Sequence, residues 1–250
     1  MTIDKETLLS IAKSYELNPL SIERIENSFV INLGNSDYRN TEKFQIKSTE
    51  IVKLNKGLSL YICCSHPHCF TMGRGLQKKS GSVLENLIET DLESIKLPFP
   101  VYQIKRGGGL TFHYPGQFIL YPIINLNNKN NNLKDLVNWL LETTKNILND
   151  SLGLEQLTKK TDPLGLWANS QKLASIGIGS NRFVTYHGLA LNLINDNEMF
   201  SALTGLNPCG LNSSVYTNVE ALTNQTISQN KFTHFFIEKL QNNSESVTRL

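Results

Sequence analysis

Four cysteines occur in the chain, and Cys209 alone stands where a thiol could act as a nucleophile. It sits in Asn207-Pro208-Cys209-Gly210, a loop sequence in which backbone amides can point at a bound oxygen. A thiolate attacks thioesters and carbonyls well, but a free thiol with pKa ~8.5 is mostly protonated at neutral pH. A nearby cation or base is therefore required. Lys172 opens the apolar run Lys172-Leu173-Ala174-Ser175-Ile176-Gly177. A lysine there is read, on its residues alone, as one that snorkels at a strand end. His187, in Tyr186-His187-Gly188-Leu189-Ala190-Leu191-Asn192, reads as a satisfied core histidine or as an auxiliary base.

A third stretch reads Arg106-Gly107-Gly108-Gly109-Leu110-Thr111-Phe112-His113-Tyr114-Pro115-Gly116-Gln117. Successive glycines let a backbone approach a ligand closely. This is no dinucleotide fingerprint, because a strand rather than a helix follows it, and no GK[ST] makes it a P-loop. A tight hairpin loop with a chance histidine fits equally well. Cys63 and Cys64 are adjacent in an apolar strand and read as structural. Cys69 lies near His66 and His68, but HPHC offers crowded ligands with no partner pair elsewhere, so no metal site is expected.

The elements that must position these residues mix strands and helices without strict alternation. The spacing predicts a short helix over 3–15, ended by Asn18-Pro19, and a second from Asp37 that puts Tyr38, Thr41, Gln45, Ser48 and Val52 on one face and stops near Gly57. Strands are predicted over 58–64, 101–105 and 118–126. A polar loop over 125–132 precedes the clearest helix, from Leu133 through Leu148, closed near Gly153. Short strands then follow in GLWAN, QKLASIGIG, FVTYH and GLALNL, with a hairpin turn at residues 179–182, and a last helix covers 232–240. The expected class is α/β (α+β), a mixed sheet flanked by helices. The only candidate boundary lies near residue 30.

Composition is ordinary for a globular chain of 250 residues, with 40% hydrophobic and 18% charged residues and a net charge of +2. No basic stripe interleaves with aromatics, which argues against nucleic acid, and no apolar run is long enough to span a bilayer, which argues against a membrane. The first residues carry acids early and lack a signal-peptide core, so a cytoplasmic location is expected.

Taken in order, these stretches resemble the lipoyl(octanoyl) transferase family of the lipoate and biotin ligase superfamily. The family pattern RGGxxTYHGPGQ resembles residues 106–117, KxxSxG…HGLALN resembles 172–177 with 187–192, and PCG resembles 208–210. HxPxFTxG is similar to residues 66–73, with the proline one position early at Pro67, and LGxxxY is similar to 33–38. Tyr114 stands where the family has glycine, so a narrower or differently shaped mouth of the acyl tunnel is expected. Residues 1–30 have no family counterpart and are expected to form an N-terminal extension dispensable for chemistry, ahead of a catalytic domain at 31–250.

The resemblance implies a lipoate/biotin protein ligase-like single domain that carries an octanoyl group as a thioester on Cys209, with Lys172 as its partner. Substrate-binding segments then fall on Arg106, Gly107, Gly108, Gly109, Leu110, Thr111, Phe112 and His113, on Ser175, Ile176 and Gly177, and on Gly188, Leu189 and Ala190. Leu110, Ile176 and Leu189 are the candidates for lining the acyl channel. Implied partners are octanoyl-acyl carrier protein as donor, with lipoyl domains of 2-oxoacid dehydrogenase complexes and the glycine cleavage H protein as acceptors; no cofactor is implied. Two alternatives use the same residues: an ATP-dependent lipoate-protein ligase, and a cysteine hydrolase with His187 or His113 as base.

Overall fold

The computed structural model describes residues 3–74, 98–129, 132–198 and 215–242. Its central sheet has eight strands: β1 (Ser21–Ile25), β2 (Ser28–Asn35), β3 (Ser59–Ser65), β7 (Gln117–Ile123), β8 (Leu157–Thr161), β9 (Leu164–Ala168), β10 (Gln171–Asn181) and β11 (Val184–Asn192). They lie in the order β1-β2-β3-β7-β11-β10-β9-β8. Every neighbouring pair is antiparallel except β2 with β3, so the sheet is mixed. A smaller sheet, ordered β5-β4-β6, is made of β4 (Cys69–Met72), β5 (Val101–Gln103) and β6 (Leu110–His113).

The central strands read as unbroken apolar runs because both of their faces are covered. Side chains alternate between the faces. Phe29, Ile31, Leu60, Ile62, Cys64, Ile119 and Tyr121 join one core with Leu8 and Ala12 of α1 (Lys5–Ser14) and Phe44, Ile51 and Val52 of α2 (Tyr38–Leu54). Their neighbours Val30, Tyr61, Cys63, Phe118 and Leu120 join the other core. That core is completed by Leu136, Leu140 and Leu148 of α3 (Leu133–Leu152) and by Phe232, Phe236 and Leu240 of α5 (Gln229–Asn242). A five-residue α4 (Val219–Thr223) precedes α5. The adjacent Cys63 and Cys64 thus face opposite cores as free thiols.

Local signals set the helix ends. Asp37 caps α2 by accepting from Asn40 N at 2.9 Å, and α2 stops at Leu54, where the Asn55 side chain takes up Ile51 O. Gly57, expected as the stop, instead turns at φ +87° just before β3. Asn132 and Asp135 form a reciprocal capping box at the start of α3, and Gly153 closes it at φ +67°. The β10–β11 hairpin departs from the sequence expectation. Its turn is Arg182-Phe183, at φ +49° and +70°, rather than residues 179–182, and VTYH runs on into GLALN as one strand. Glycine is favoured in such turns. Here Gly179 is used inside the strand instead, where a Cβ would stand 2.7 Å from the Tyr186 ring.

Residue 30, the candidate boundary, lies within β2, which pairs with β1 on one side and β3 on the other. Residues 3–30 supply α1, β1 and the start of β2 to the same core.

Candidate active site

The β10–β11 hairpin builds one wall of a cavity. Its register sets Ser175 opposite Ala190, Ile176 opposite Leu189 and Gly177 opposite Gly188. Two motifs separated in sequence are therefore cross-strand neighbours. Glycine at two of these positions is a packing demand. A Cβ on Gly188 would stand 2.1 Å from Leu120 O, and one on Gly177 would stand 3.0 Å from Gly107 O. The space left by Gly177 admits the 105–107 loop, where Gly107 N–H donates to Ile178 O at 3.1 Å.

That loop brings Arg106 into the cavity wall with its guanidinium buried. Its N–H groups donate to Thr71 O, Thr71 Oγ1, Thr111 Oγ1 and Gly107 O at 2.7–2.9 Å. Strand β6 then contributes Thr111 and His113. Alternation sends Leu110 and Phe112 to its other face, where Phe112 packs on Phe70 with ring centroids 4.8 Å apart. Of residues 106–113, the cavity is lined by Arg106, Thr111 and His113, while Gly107, Gly108, Gly109, Leu110 and Phe112 stand outside its lining. All six residues from β10 and β11 line it, and so does His187. Tyr38, Ile104, Ile119 and Tyr121 complete the enclosure, which holds about 320 Å³ of empty space counted out to its mouth.

Of these four, Tyr38 had a signal in the sequence, since it ends the LGxxxY resemblance. Ile119 and Tyr121 carry no mark beyond strand alternation. Gln117 and Asn192 close two of the motifs and were passed over as site residues. They meet each other at 3.0 Å beneath the wall.

Tyr114 does not stand at the cavity mouth. It is fully buried beneath Gly116, with its hydroxyl donating to Ile194 O at 3.1 Å. Its strand neighbour His113 faces the cavity instead.

Burial and positive charge keep the site's histidines neutral. Burial, then Arg106 and His66, push His187 down to about 3. Burial pushes His66 down to about 4 despite a bond to Ser36 O. His113 is held well below its ordinary value by burial and by His66 and Arg106. His187 adopts φ +57°, and its N–H donates to Gln45 Oε1 of α2 at 2.7 Å. Its Nε2 is buried with no hydrogen-bond partner among the described residues. Cys63, Cys64 and Cys69 are all pushed up by burial, Cys69 to about 12. These three are protonated thiols, unsuited to nucleophilic work.

Lys172 lies at the start of β10, three residues before Ser175, and is only 4% exposed. Its ammonium is 5.8 Å from the Trp167 ring centroid. Its backbone pairs in parallel with Tyr216, and Thr217 N–H donates to Lys172 O at 3.1 Å. Cys209 lies outside the described residues. It precedes Tyr216 by seven positions (216 − 209). His66 and His68 point to different partners, Tyr121 OH and Asp196, and the described residues contain no group of three or more potential metal ligands. No helix among them is long and apolar enough to cross a membrane.

Comparison with known proteins places this geometry. A family model described as the lipoyl protein ligase A/B catalytic domain matches residues 41–241. A protein of Syntrophobacter fumaroxidans named octanoyltransferase is 30% identical over 82% of this chain and 85% of its own. One of a Thermoanaerobacter species with the same name is 32% identical over 77% and 80%. Among solved structures, a putative lipoate protein ligase from T. acidophilum superposes with a TM-score of 0.62 at 14% identity, covering 86% of this chain and 84% of that one. That last likeness is one of fold.

Proposed function

The chain belongs to the lipoyl protein ligase A/B catalytic-domain family, among its octanoyltransferases, and from that membership we propose that it moves an octanoyl group from octanoyl-acyl carrier protein to a lysine of lipoyl domains through a thioester on Cys209. It is an acyltransferase that serves the making of protein-bound lipoate. The acceptors in this reading are lipoyl domains of 2-oxoacid dehydrogenase complexes and the glycine cleavage H protein.

One observation supports the acyl reading above the others. The residues that the motifs mark on β10 and β11 share one cavity, and Ile104, Ile119, Ile176, Leu189 and Ala190 give it apolar walls suited to an alkyl chain. Lys172 is buried on the same strand, beside the backbone that follows the Cys209 segment in sequence.

The chemistry proceeds in two balanced steps. The Cys209 thiolate attacks the donor carbonyl, and the carbon–sulfur bond to the carrier breaks. The carrier thiolate leaves as a thiol by taking the proton of the Lys172 ammonium, which leaves Lys172 neutral for the second step. Thioester is exchanged for thioester, so this step is near thermoneutral. A lysine amine of the lipoyl domain then attacks the acyl-enzyme, loses a proton, and releases Cys209 as thiolate. Thioester to amide runs downhill. Lys172 serves both steps, first as a cation that favours the thiolate and then as acceptor of the amine's proton. Arg106 rigidifies the loop over β10, and His113 and His187, held neutral, add no competing charge to the acyl site.

The test is intact mass after mixing with octanoyl-acyl carrier protein. One octanoyl adduct is expected, and it should vanish in Cys209→Ala. An adduct that persists in that variant overturns the assignment.

A further inference from the structure

A run of buried polar side chains joins the cavity wall to the backbone beside Lys172. Its members are Arg106, Thr71, His113, Gln117 and Asn192, and it ends on the backbone of Thr217. Two main-chain carbonyls fix the direction of its hydrogen bonds, because a carbonyl can only accept. Asn192 Nδ2 meets Thr217 O at 3.0 Å, which orients the Asn192 amide. Gln117 Nε2 meets Phe112 O at 3.2 Å, which orients that of Gln117. The second N–H of Gln117 donates to Asn192 Oδ1 at 3.0 Å. Gln117 Oε1 is then an acceptor, and it faces His113 Nδ1 at 3.1 Å, so Nδ1 carries the hydrogen. A neutral imidazole keeps Nε2 as an acceptor. Thr71 Oγ1–H donates to that nitrogen at 3.3 Å and accepts from Arg106 Nη2 at 2.9 Å. At the far end, Thr217 N–H donates to Lys172 O at 3.1 Å.

We infer that His113, Gln117 and Asn192 are positioning residues, a one-way relay of hydrogen bonds that holds the 215–217 segment, and with it Lys172, in register with the cavity wall. Both N–H groups and the oxygen of Gln117, both nitrogens of His113, and the oxygen and one N–H of Asn192 are committed along the run, so these groups hold position rather than move a proton in the transfer. Flipping any one member leaves two donors or two acceptors face to face in a buried place, which is costly. The relay thereby links the Arg106 loop to the edge where Lys172 works. It rests on the reading of Lys172 as the lysine of transfer.

Two measurements test it. Nitrogen-15 shifts of the His113 imidazole should report hydrogen on Nδ1, the minor tautomer of free histidine, from pH 8 down to about pH 5. Asn192→Asp keeps the acceptor for Gln117 but sets a carboxylate oxygen against Thr217 O. With octanoyl-acyl carrier protein and a lipoyl domain it should lower kcat roughly tenfold or more while the KM for the carrier stays within about twofold. Asn192→Ala removes the same donor and serves if the aspartate variant does not fold. Hydrogen on Nε2 of His113, or a folded Asn192 variant with wild-type kcat, would overturn the relay. The imidazole measurement needs no substrate, so it stands apart from the Cys209 adduct test. Loss of that adduct assignment would refute the acyl-enzyme reading and leave the tautomer result in place.

Discussion

At the scale of single residues, Ser175, Ile176 and Gly177 face Ala190, Leu189 and Gly188 across β10 and β11 and line one cavity with them. They repeat a family pattern in type and spacing. Leu110 and Phe112 belong to the same pattern but face away from the cavity, because a strand alternates and the motif does not record its phase. Tyr114 is the sharpest example. Its replacement of glycine suggested a changed tunnel mouth, yet the ring fills core space under Gly116. Tyr114→Gly should therefore cost stability, roughly 3–5 kcal/mol by denaturant titration, since it empties a buried aromatic site. Relative rates with acyl donors of different length should stay as they are. A shifted chain-length profile would return Tyr114 to the tunnel. For Lys172 the two proposed roles need opposite protonation states and can be separated. Lys172→Arg keeps the charge but cannot release a proton at neutral pH. It should still form acyl-enzyme, yet slow single-turnover transfer from pre-acylated enzyme about 100-fold or more. Lys172→Ala should slow both steps and move the pH profile of iodoacetamide alkylation upward. A wild-type profile together with a wild-type transfer rate would remove Lys172 from the mechanism and leave His187 as the next base to try.

At the scale of elements, α2 shows why a buried site need not look apolar in sequence. Its covered face carries Tyr38, Thr41, Gln45 and Ser48. Read by period alone, this is a helix with a weakly hydrophobic side. Two of its polar side chains serve the site: Gln45 Oε1 holds the His187 backbone, and Thr41 bonds Ser36, whose carbonyl holds His66. The strands near 58–64, 101–105, 118–126 and 164–192 were legible from apolar runs, whereas β1, β2, β4, β6 and β8 went unpredicted. The Arg182-Phe183 turn was hidden because its positive φ angles fall on residues that rarely adopt them. The neutral histidines packed between α2 and the sheets have a measurable consequence. In the unfolded chain each takes up a proton near pH ~6.5. In the folded chain His66 does so at about 4, His187 at about 3, and His113 well below its ordinary value. Between these limits the unfolded state binds more protons. Stability from this source is complete above pH ~6.5 and is lost as the pH falls, at about 1.4 kcal/mol per pH unit for each histidine. Denaturant midpoints at pH 7, 6 and 5 should fall accordingly. Midpoints that do not move would mean that these histidines are charged in the folded protein.

At the scale of the whole molecule, the ends of the chain are built into the middle. Residues 1–30 have no counterpart among the family motifs, but β1 pairs along the whole of its length with β2, and Leu8 and Ala12 are fully buried. A chain starting at Ile31 should therefore fail to fold rather than turn over normally. Circular dichroism and the yield of soluble protein would decide it, and a folded, active truncation would return the segment to the status of an extension. The sequence could not reveal this, because family motifs mark chemistry, while α1 and β1 contribute only packing. The other end is tied in the same way. Asn32 of β2 bonds both Asn230 at 2.7 Å and Gln229 at 3.1 Å, and α5 lays Phe232 and Phe236 on the sheet face that Tyr61 and Phe118 share. Consider the chain as it leaves the ribosome. Every strand of the large sheet has emerged by residue 192, but part of the face of β3 and β7 that carries Tyr61 and Phe118 stays uncovered until α5 appears. Tethered chains that end before residue 229 should be cut readily by protease, and chains released with α5 intact should resist. Resistance before α5 emerges would show that its packing is not needed to close the core. On this account the core closes, and the segment that braces Lys172 is held, only once the chain has emerged through α5.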